Sequence, residues 1–252
     1  MIHQALFNLV ARPNLYVAVL LIARVIILTG LETLHPAHRV LYRRVWWRDG
    51  IAFVAFTLAI VPAALMIDNY FAIRPVVPDG IIKQPLVIRF LLYLIIADFG
   101  HYWIHRLMHT KHLWRIHKWH HVPTYMYWLA GARGSLLQQV IVNLPYIFAG
   151  VLLNIAPWWM VMVILTKNTL QNDWMHLNVP WGWNWLEWII VTPRYHHIHH
   201  SDKPEHYRAN LAALFPIWDR LFGTYVNPQD VPRNISFGIG EHVGVVRLAI
   251  GV

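Results

Sequence analysis

The sequence of 252 residues contains no cysteine and few charged residues. Without cysteine there is neither a disulfide framework nor a thiolate metal site, so any metal has to be bound through nitrogen or oxygen. Only 13% of the residues are charged and 57% are hydrophobic, which excludes an ordinary soluble domain. The net charge of +9 does not predict nucleic-acid binding, because the basic residues lie between apolar segments, as the positive-inside rule describes.

A nucleotide-binding fingerprint is also missing. The segment GIGEHVG at 238–244 has neither the glycine spacing nor the strand and helix that a dinucleotide site requires. The remaining length leaves no room for a haem or flavin domain. Any redox chemistry therefore has to draw its electrons from a separate protein.

Long apolar segments are what the sequence does have. They predict an all-α integral membrane bundle of about four to five transmembrane helices, forming one domain over residues 1–252. The candidate spans are residues 15–34, 50–72, 85–103, 136–155 and 158–175. The loop 35–49 is rich in arginine and is predicted to be cytoplasmic, and WGWNWLEW at 181–188 is predicted to lie on the membrane surface.

Histidine is the second abundant feature. Seven of the 17 histidines fall between Asp98 and Val122, and five more are His176 and four residues of the segment 196–200. A packing core has no use for so much imidazole, so the two clusters predict a metal site. If 136–175 is a hairpin through the membrane, both clusters belong to a histidine-rich cytoplasmic cap.

The spacing of the histidines supports this interpretation. His105 and His109 are four residues apart, and the segments 117–121 and 196–200 both read HxxHH, so each set shares one helical face. Thr192 is a predicted N-cap for the last of these helices, with Pro193 at its first position. We expect each triplet to aim three nitrogens at one point. That exceeds one four-coordinate ion, so two metals are predicted.

HRLMH at 105–109, HKWHH at 117–121 and HHIHH at 196–200 resemble the three histidine boxes of the fatty acid hydroxylase/sterol desaturase superfamily. The first two boxes are especially similar to those of sterol 4-methyl oxidases and their bacterial relatives. WWRD at 46–49, TPRYHHIHHSD at 192–202 and IWDRLFGTY at 217–225 extend the resemblance over roughly residues 32 to 226.

The resemblance implies a dimetal site whose ligands form the catalytic centre. The implied ligands are His105, His109, His117, His120, His121, His176, His196, His199 and His200. His101 is either a further ligand or a hydrogen-bond donor beside the site, and Asn172 is a candidate for holding a metal-bound water. His112 and His197 fall outside the shared faces. Asp98, Asp173 and Asp202 are too few to be the main ligands, and we expect them to orient histidine N–H groups.

The resemblance also implies a function: an O₂-dependent, non-haem di-iron oxidoreductase of the inner membrane, if bacterial, with its active site on the cytoplasmic side. It would hydroxylate or desaturate an unactivated C–H bond of a fatty acyl, sterol or isoprenoid lipid. A separate ferredoxin, cytochrome or reductase would supply electrons. Imidazole ligands alone do not select iron, and zinc could substitute in purified protein. A zinc-dependent hydrolase or isomerase and a metal transporter remain alternatives.

Overall fold

The computed structural model describes residues 13–51, 53, 54, 66, 70, 79–155 and 168–241. Over these ranges the chain is helical without any β-strand, apart from one isolated bridge between Ser201 and Phe237. The predicted all-α class is therefore confirmed. The predicted spans 50–72 and 158–175 lie largely outside the described residues, so the number of transmembrane helices stays a prediction.

The described helices occur in the following order along the chain. The first half contains α1 (Pro13–Leu34), a helical stretch at 42–51, α2 (Asp79–Ile82), α3 (Leu86–Met108), α4 (Trp114–His121) and α5 (Leu136–Leu152). A π-helix, Asn168–Asp173, then leads into α6 (Trp174–His176), which is followed by α7 (Pro193–His199) and α8 (Ile217–Leu221). Short 3-10 helices lie at Trp128–Ala132, Leu186–Trp188, Pro204–His206 and Pro228–Asp230.

Helix α3 carries the first histidine box into the fold. It begins after Pro85 and continues to Met108, past the end of the predicted membrane span at Trp103, since no proline interrupts it. Among the described residues, α3 is the one helix with the length and apolar composition needed to cross a membrane. It packs against α5 through a core that includes Tyr93, Ala97 and Tyr146.

A buried carboxylate joins α3 to the C-terminal part of the chain. Asp98 is 1% exposed and accepts hydrogen bonds from the backbone N–H groups of Leu214 and Phe215, both at 3.0 Å, and from Trp218 Nε1 at 2.9 Å. Hydrogen bonds to a buried charged acceptor are among the stronger ones in proteins. Asp98 therefore fixes the segment before α8 against the helix that carries the first box.

Three more buried carboxylates fix the N-terminal part of the chain to the same region. Asp173 pairs with Arg24 of α1, and Asp49 pairs with Arg133. Glu32 accepts the backbone N–H groups of Trp128 at 2.7 Å and of Asn178 at 2.8 Å. Each pair or bond joins residues far apart in sequence. The segments next to the histidine boxes are therefore fixed by contacts with the N-terminal part of the chain.

Candidate metal centre

The structure brings all nine predicted histidine ligands together in two neighbouring groups. The five-histidine group consists of His105, His109, His117, His121 and His199. The four-histidine group consists of His120, His176, His196 and His200. Within each group the ligand nitrogens all lie within 4.8 Å of one another, which is close enough for one metal ion to bind them together.

The second box is divided between the two groups. His117 and His121 are four residues apart, about 40° around the helix, and their Nε2 atoms are 3.0 Å apart in the five-histidine group. His120 is about 100° from His121 and joins the four-histidine group instead. The expectation that each HxxHH triplet converges on one point is therefore wrong. Neighbouring residues of α4 serve different groups.

The third box is divided in the same way. His196 and His200 belong to the four-histidine group, with Nε2 atoms 3.0 Å apart, and His199 belongs to the five-histidine group. Helix α7 begins as predicted, because the Thr192 side chain accepts the backbone N–H of Tyr195 at 3.2 Å and Pro193 occupies the first turn. The stacked rings of His121 and His200, 4.3 Å apart, connect the two groups.

Backbone carbonyls set the orientation of four of these imidazoles. The bonds are His105 Nδ1 to Leu211 O at 2.7 Å, His120 Nδ1 to Arg133 O at 3.0 Å, His176 Nδ1 to Asn172 O at 2.6 Å and His199 Nδ1 to Ala209 O at 2.9 Å. Because a carbonyl oxygen only accepts, each Nδ1 must carry the proton. In a neutral ring this leaves the lone pair on Nε2, the nitrogen that faces the group.

The pair His120 and His176 tests whether a metal fits. Their Nε2 atoms are 3.2 Å apart, and both are lone-pair nitrogens because both Nδ1 atoms donate to carbonyls. Two lone pairs cannot form a hydrogen bond. Burial lowers the pKa of His176 to about 3 and, with the neighbouring His176, holds the pKa of His120 well below its usual value. Protonation does not resolve the contact at neutral pH, whereas a metal cation between the nitrogens does.

A metal ion also fits the five-histidine group. The Nε2 atoms of His109 and His199 are buried and have no hydrogen-bond partner. Burial, followed by the neighbouring imidazoles, holds the pKa of His109 and of His121 well below the usual value. Neutral imidazole is a good ligand for iron, zinc, copper and nickel, so these residues fit a transition metal.

Carboxylates do not take the orienting role predicted for them. Asp98 anchors the segment at 214–218, Asp173 pairs with Arg24, and Asp202 is exposed. Four of the imidazoles are held by carbonyls instead. Carbonyls presented by an ordered backbone orient an N–H group without adding a negative charge to a buried site.

The remaining predicted residues lie beside the two groups. His101 is buried with its ring against those of His105 and Tyr146, at 6.0 and 5.7 Å between centroids. His112 is exposed. His197, which falls off the shared helical face, lies outside both groups and is buried, with its ring 5.6 Å from that of Phe237.

Asn172 belongs to a stretch with unexpected geometry. Asn168, Asn172 and His176 were expected to form one stripe on an α-helix, but Asn168–Asp173 form a π-helix. π-Helical turns are rare and are frequent at functional sites. The Asn172 carbonyl holds His176, and its side chain lines a cavity beside the two groups. A metal-bound water at Asn172 remains a prediction.

This cavity contains side chains that the sequence analysis did not identify. It has a volume of about 60 Å³ and is lined on one side by histidines of both groups. The other side includes Arg24 and the amides Gln138, Gln139, Asn143 and Gln171. Polar residues inside an apolar span usually face a site, and this signal was present at 138–143 in the predicted span 136–155.

The absence of a side chain at Gly131 allows the backbone to lie close to His176 and Asn172. A Cβ atom at this position would lie 2.6 Å from His176 Nδ1 and 2.8 Å from Asn172 Nδ2. Both distances are well below van der Waals contact, so any larger residue would displace the His176 ring or the π-helix.

The sequence profile of the fatty acid hydroxylase family matches residues 90–224, more than half of the chain and a range that includes both histidine groups. The chain belongs to the fatty acid hydroxylase family. No solved structure matches it significantly.

Among curated relatives in this family, alkylglycerol monooxygenase of Danio rerio is 31% identical over 60% of this chain and 33% of its own length. Ornithine lipid hydroxylase OlsE of Rhizobium tropici is 30% identical over 76% of this chain and 54% of its own. Methylsterol monooxygenase 1 of Rattus norvegicus is 29% identical over 52% of this chain and 44% of its own. The chain thus spans between about a third and about half of the length of these relatives.

The division of the boxes predicts which histidines are needed for metal binding. His120→Ala leaves three imidazoles in the four-histidine group, so we expect it to lose about one of the two metal ions per chain. His199→Ala leaves four imidazoles in the five-histidine group, so we expect its ion to be bound more weakly and partly lost. His112→Ala should retain both metals, and His197→Ala should retain them with some loss of thermal stability, because its ring is buried. Metal per chain is measured by plasma mass spectrometry on the four variants. Equal metal loss in all four would contradict the assignment.

The close approach at Gly131 predicts a defect without the loss of any ligand. Gly131→Ala should weaken metal binding at the four-histidine group by about tenfold or more, the range found when the partners of a ligating histidine are disturbed. Gly30→Ala is the matched control, since a Cβ there has no atom within 4 Å. Metal affinity is measured by competition with a chelator. Equal metal affinity in the two variants would show that the residues around His176 can move to accommodate a methyl group at position 131, which would contradict the prediction.

Proposed function

We propose that this protein is a membrane di-iron oxygenase that uses O₂ and external electrons to hydroxylate a C–H bond of a lipid. The observation that carries the proposal is the pair of all-imidazole groups in a member of the fatty acid hydroxylase family. The names of the relatives support hydroxylation over desaturation, since they are monooxygenases or hydroxylases of alkylglycerols, ornithine lipids and methylsterols.

The number of nitrogens favours iron over the zinc hydrolase alternative. Catalytic zinc usually has three protein ligands and one open position, and structural zinc has four ligands. Five imidazoles in one group exceed both patterns. A six-coordinate ion would use five nitrogens in one group and four in the other, leaving positions free for small ligands. This count supports a redox-active pair over a hydrolytic zinc site.

Two iron ions, when bound, would supply O₂ activation and the removal of hydrogen from an unactivated C–H bond. The chain's own contribution is to hold and shield them. The five- and four-histidine groups would bind one ion each, and the carbonyls at Leu211, Arg133, Asn172 and Ala209 keep the Nε2 lone pairs directed inward. Burial of the imidazoles keeps water away from the reacting centre.

The surface of the protein supports a membrane location. Helix α3 is long and predominantly apolar, with Val87, Leu91 and Ile95 exposed. In the segment 181–188, Trp183, Trp185 and Trp188 are 45%, 67% and 64% exposed, as expected for an aromatic belt at the membrane interface. A lipid substrate could thus reach the site from the bilayer. Electrons would come from a separate ferredoxin, cytochrome or reductase at the basic cytoplasmic face.

The proposal predicts oxygen-dependent formation of a hydroxylated lipid. Membranes that contain the iron-loaded protein, incubated with reductant, an electron-transfer protein and ¹⁸O₂, should form a lipid product 18 mass units heavier than its precursor. His120→Ala should reduce product formation at least about 100-fold, because the four-histidine group would be incomplete. Lipid mass spectrometry is the measurement. Conversion of a lipid by the zinc-loaded protein in the absence of O₂ would favour the zinc hydrolase alternative.

The proposed cytoplasmic location of the site is tested separately. Since the natural chain has no cysteine, single cysteines at Lys118 and Lys203 provide unambiguous labels. In intact cells neither should react with a membrane-impermeant maleimide, and both should react in inverted membranes. Lys83 lies between the predicted spans 50–72 and 85–103, on the side of the membrane opposite to the predicted cytoplasmic loop 35–49, so a cysteine there should show the opposite pattern. Labelling of 118 and 203 from opposite sides would contradict the predicted hairpin 136–175.

A further inference from the structure

The cavity beside the histidine groups is small, which is unexpected for an enzyme whose proposed substrate is a lipid chain. Its volume is about 60 Å³, enough for a few atoms but not for an extended acyl chain. Phe53, Ala132, Val142 and Met175 contribute apolar lining, and amides and histidines contribute polar atoms. A group that enters the cavity therefore has to be small and meets polar atoms within a largely apolar lining.

Two of the amides that line the cavity are hydrogen-bonded to other parts of the protein. Gln171 donates to Asp98 at 3.0 Å and accepts the hydroxyl of Tyr146 at 3.1 Å. Gln139 Nε2 donates to the carbonyl of Ala132 at 3.0 Å. Two amide oxygens in the same lining, Gln138 Oε1 and Asn143 Oδ1, are buried without a hydrogen-bond partner. The cavity wall therefore offers hydrogen-bond acceptors to a ligand.

Of these two acceptors, that of Asn143 has a fixed orientation. Asn143 is 1% exposed and lies on α5 among the residues that line the cavity. Its Nδ2 donates to the carbonyl of Gln139 at 2.8 Å, which orients the amide, while Oδ1 is buried without a hydrogen-bond partner. A buried acceptor without a donor is unfavourable and rare, so its presence in a cavity wall points to a ligand that supplies the donor.

We infer that Asn143 Oδ1 accepts a hydrogen bond from a hydroxyl or N–H group of the substrate, carried within a few bonds of the carbon that is oxidised. The substrate position would then be the polar end of a lipid, such as its glycerol or head-group part, and not a methylene in the middle of an acyl chain. This inference rests on the proposed function and specifies its substrate class. A site built to pair with a hydroxyl or N–H discriminates strongly against an analogue that lacks it.

Binding to the zinc-loaded protein tests the inference without requiring oxidation. Two pairs of lipids differ only in donors: 1-O-hexadecylglycerol with its 2,3-di-O-methyl ether, and hexadecanamide with its N,N-dimethylamide. The wild-type protein in detergent should bind the donor-bearing lipid of at least one pair about tenfold or more tightly, the value of one good hydrogen bond. The pair that shows the preference identifies the donor as hydroxyl or N–H.

Variants separate the hydrogen bond from the added volume of the methyl groups. Asn143→Leu has a similar volume but no acceptor, so the preference should fall to about one. Asn143→Ala removes the acceptor and leaves more room, and it serves the same purpose if the leucine variant does not fold. Val142→Ala is the matched control, because it lines the same cavity without a polar atom and should leave the ratio of affinities unchanged.

Two results would overturn the inference: no preference in either pair for the wild-type protein, or a preference that both Asn143 variants retain. These results are distinct from failure of the proposed function. A preference that depends on Asn143, in a protein that forms no oxidised lipid, would support the binding site and contradict the oxygenase. Oxidised product without any preference would contradict the binding site alone.

Discussion

The fold depends on holding nine imidazoles, eight of them buried, close together in two groups. The contact between His120 and His176, 3.2 Å between two nitrogens that both lack a proton, shows the difficulty most directly. Without cations such nitrogens repel each other, and without fixed backbone partners the rings would rotate to find donors. A bound metal would remove the repulsion, and the carbonyls that accept Nδ1–H prevent the rotation. The order of the surrounding chain follows from these two needs.

The loop at 209–212 shows how the backbone partners are themselves fixed. Its carbonyls at Ala209 and Leu211 hold His199 and His105. Asp219 accepts the N–H groups of Leu211 and Ala212, both at 2.8 Å, and burial raises the pKa of this carboxyl. Its four hydrogen bonds from protein donors, two of them from side-chain hydroxyls, offset that burial. The Asp219 carboxylate thus acts on the candidate metal site indirectly. It accepts the N–H of Leu211 and so orders the loop, and the Leu211 carbonyl holds the His105 imidazole.

Sequence reasoning selected the nine histidines that the structure brings together, because residue type and spacing are visible in the sequence. Thr192, Pro193 and the i, i+4 pairs follow from local helix geometry, which needs no knowledge of the rest of the fold. The division of each triplet between two groups was missed, because it depends on where the partner helices lie. The role of Asp98 was missed for the same reason: its partners at 214–218 are more than a hundred residues away and carry no local signal.

The π-helix at 168–173 illustrates a further limit. Residue propensity predicts an α-helix there, whereas the structure has a π-helix whose Asn172 carbonyl holds His176, with Gly131 close to both side chains. Interactions of this kind belong to the assembled site. Such interactions can be recognised only after the structure shows the close contact at Gly131. The sequence alone does not distinguish Gly131 from the other glycines of the chain, which has 13 in all.

The interleaving of the two groups explains why so many restraints are needed. His120 and His121 are neighbours on α4 but serve different groups. Rotation of α4 about its axis moves both rings at once, so no rotation can improve one group while leaving the other unchanged. The same holds for His199 and His200 of the third box, at the end of α7. Two sites built from shared helices can be correct together only if each helix is fixed independently of the metals. The buried carboxylates and carbonyl contacts outside the groups provide that restraint, which is why a protein with so few charges places several of them in its interior.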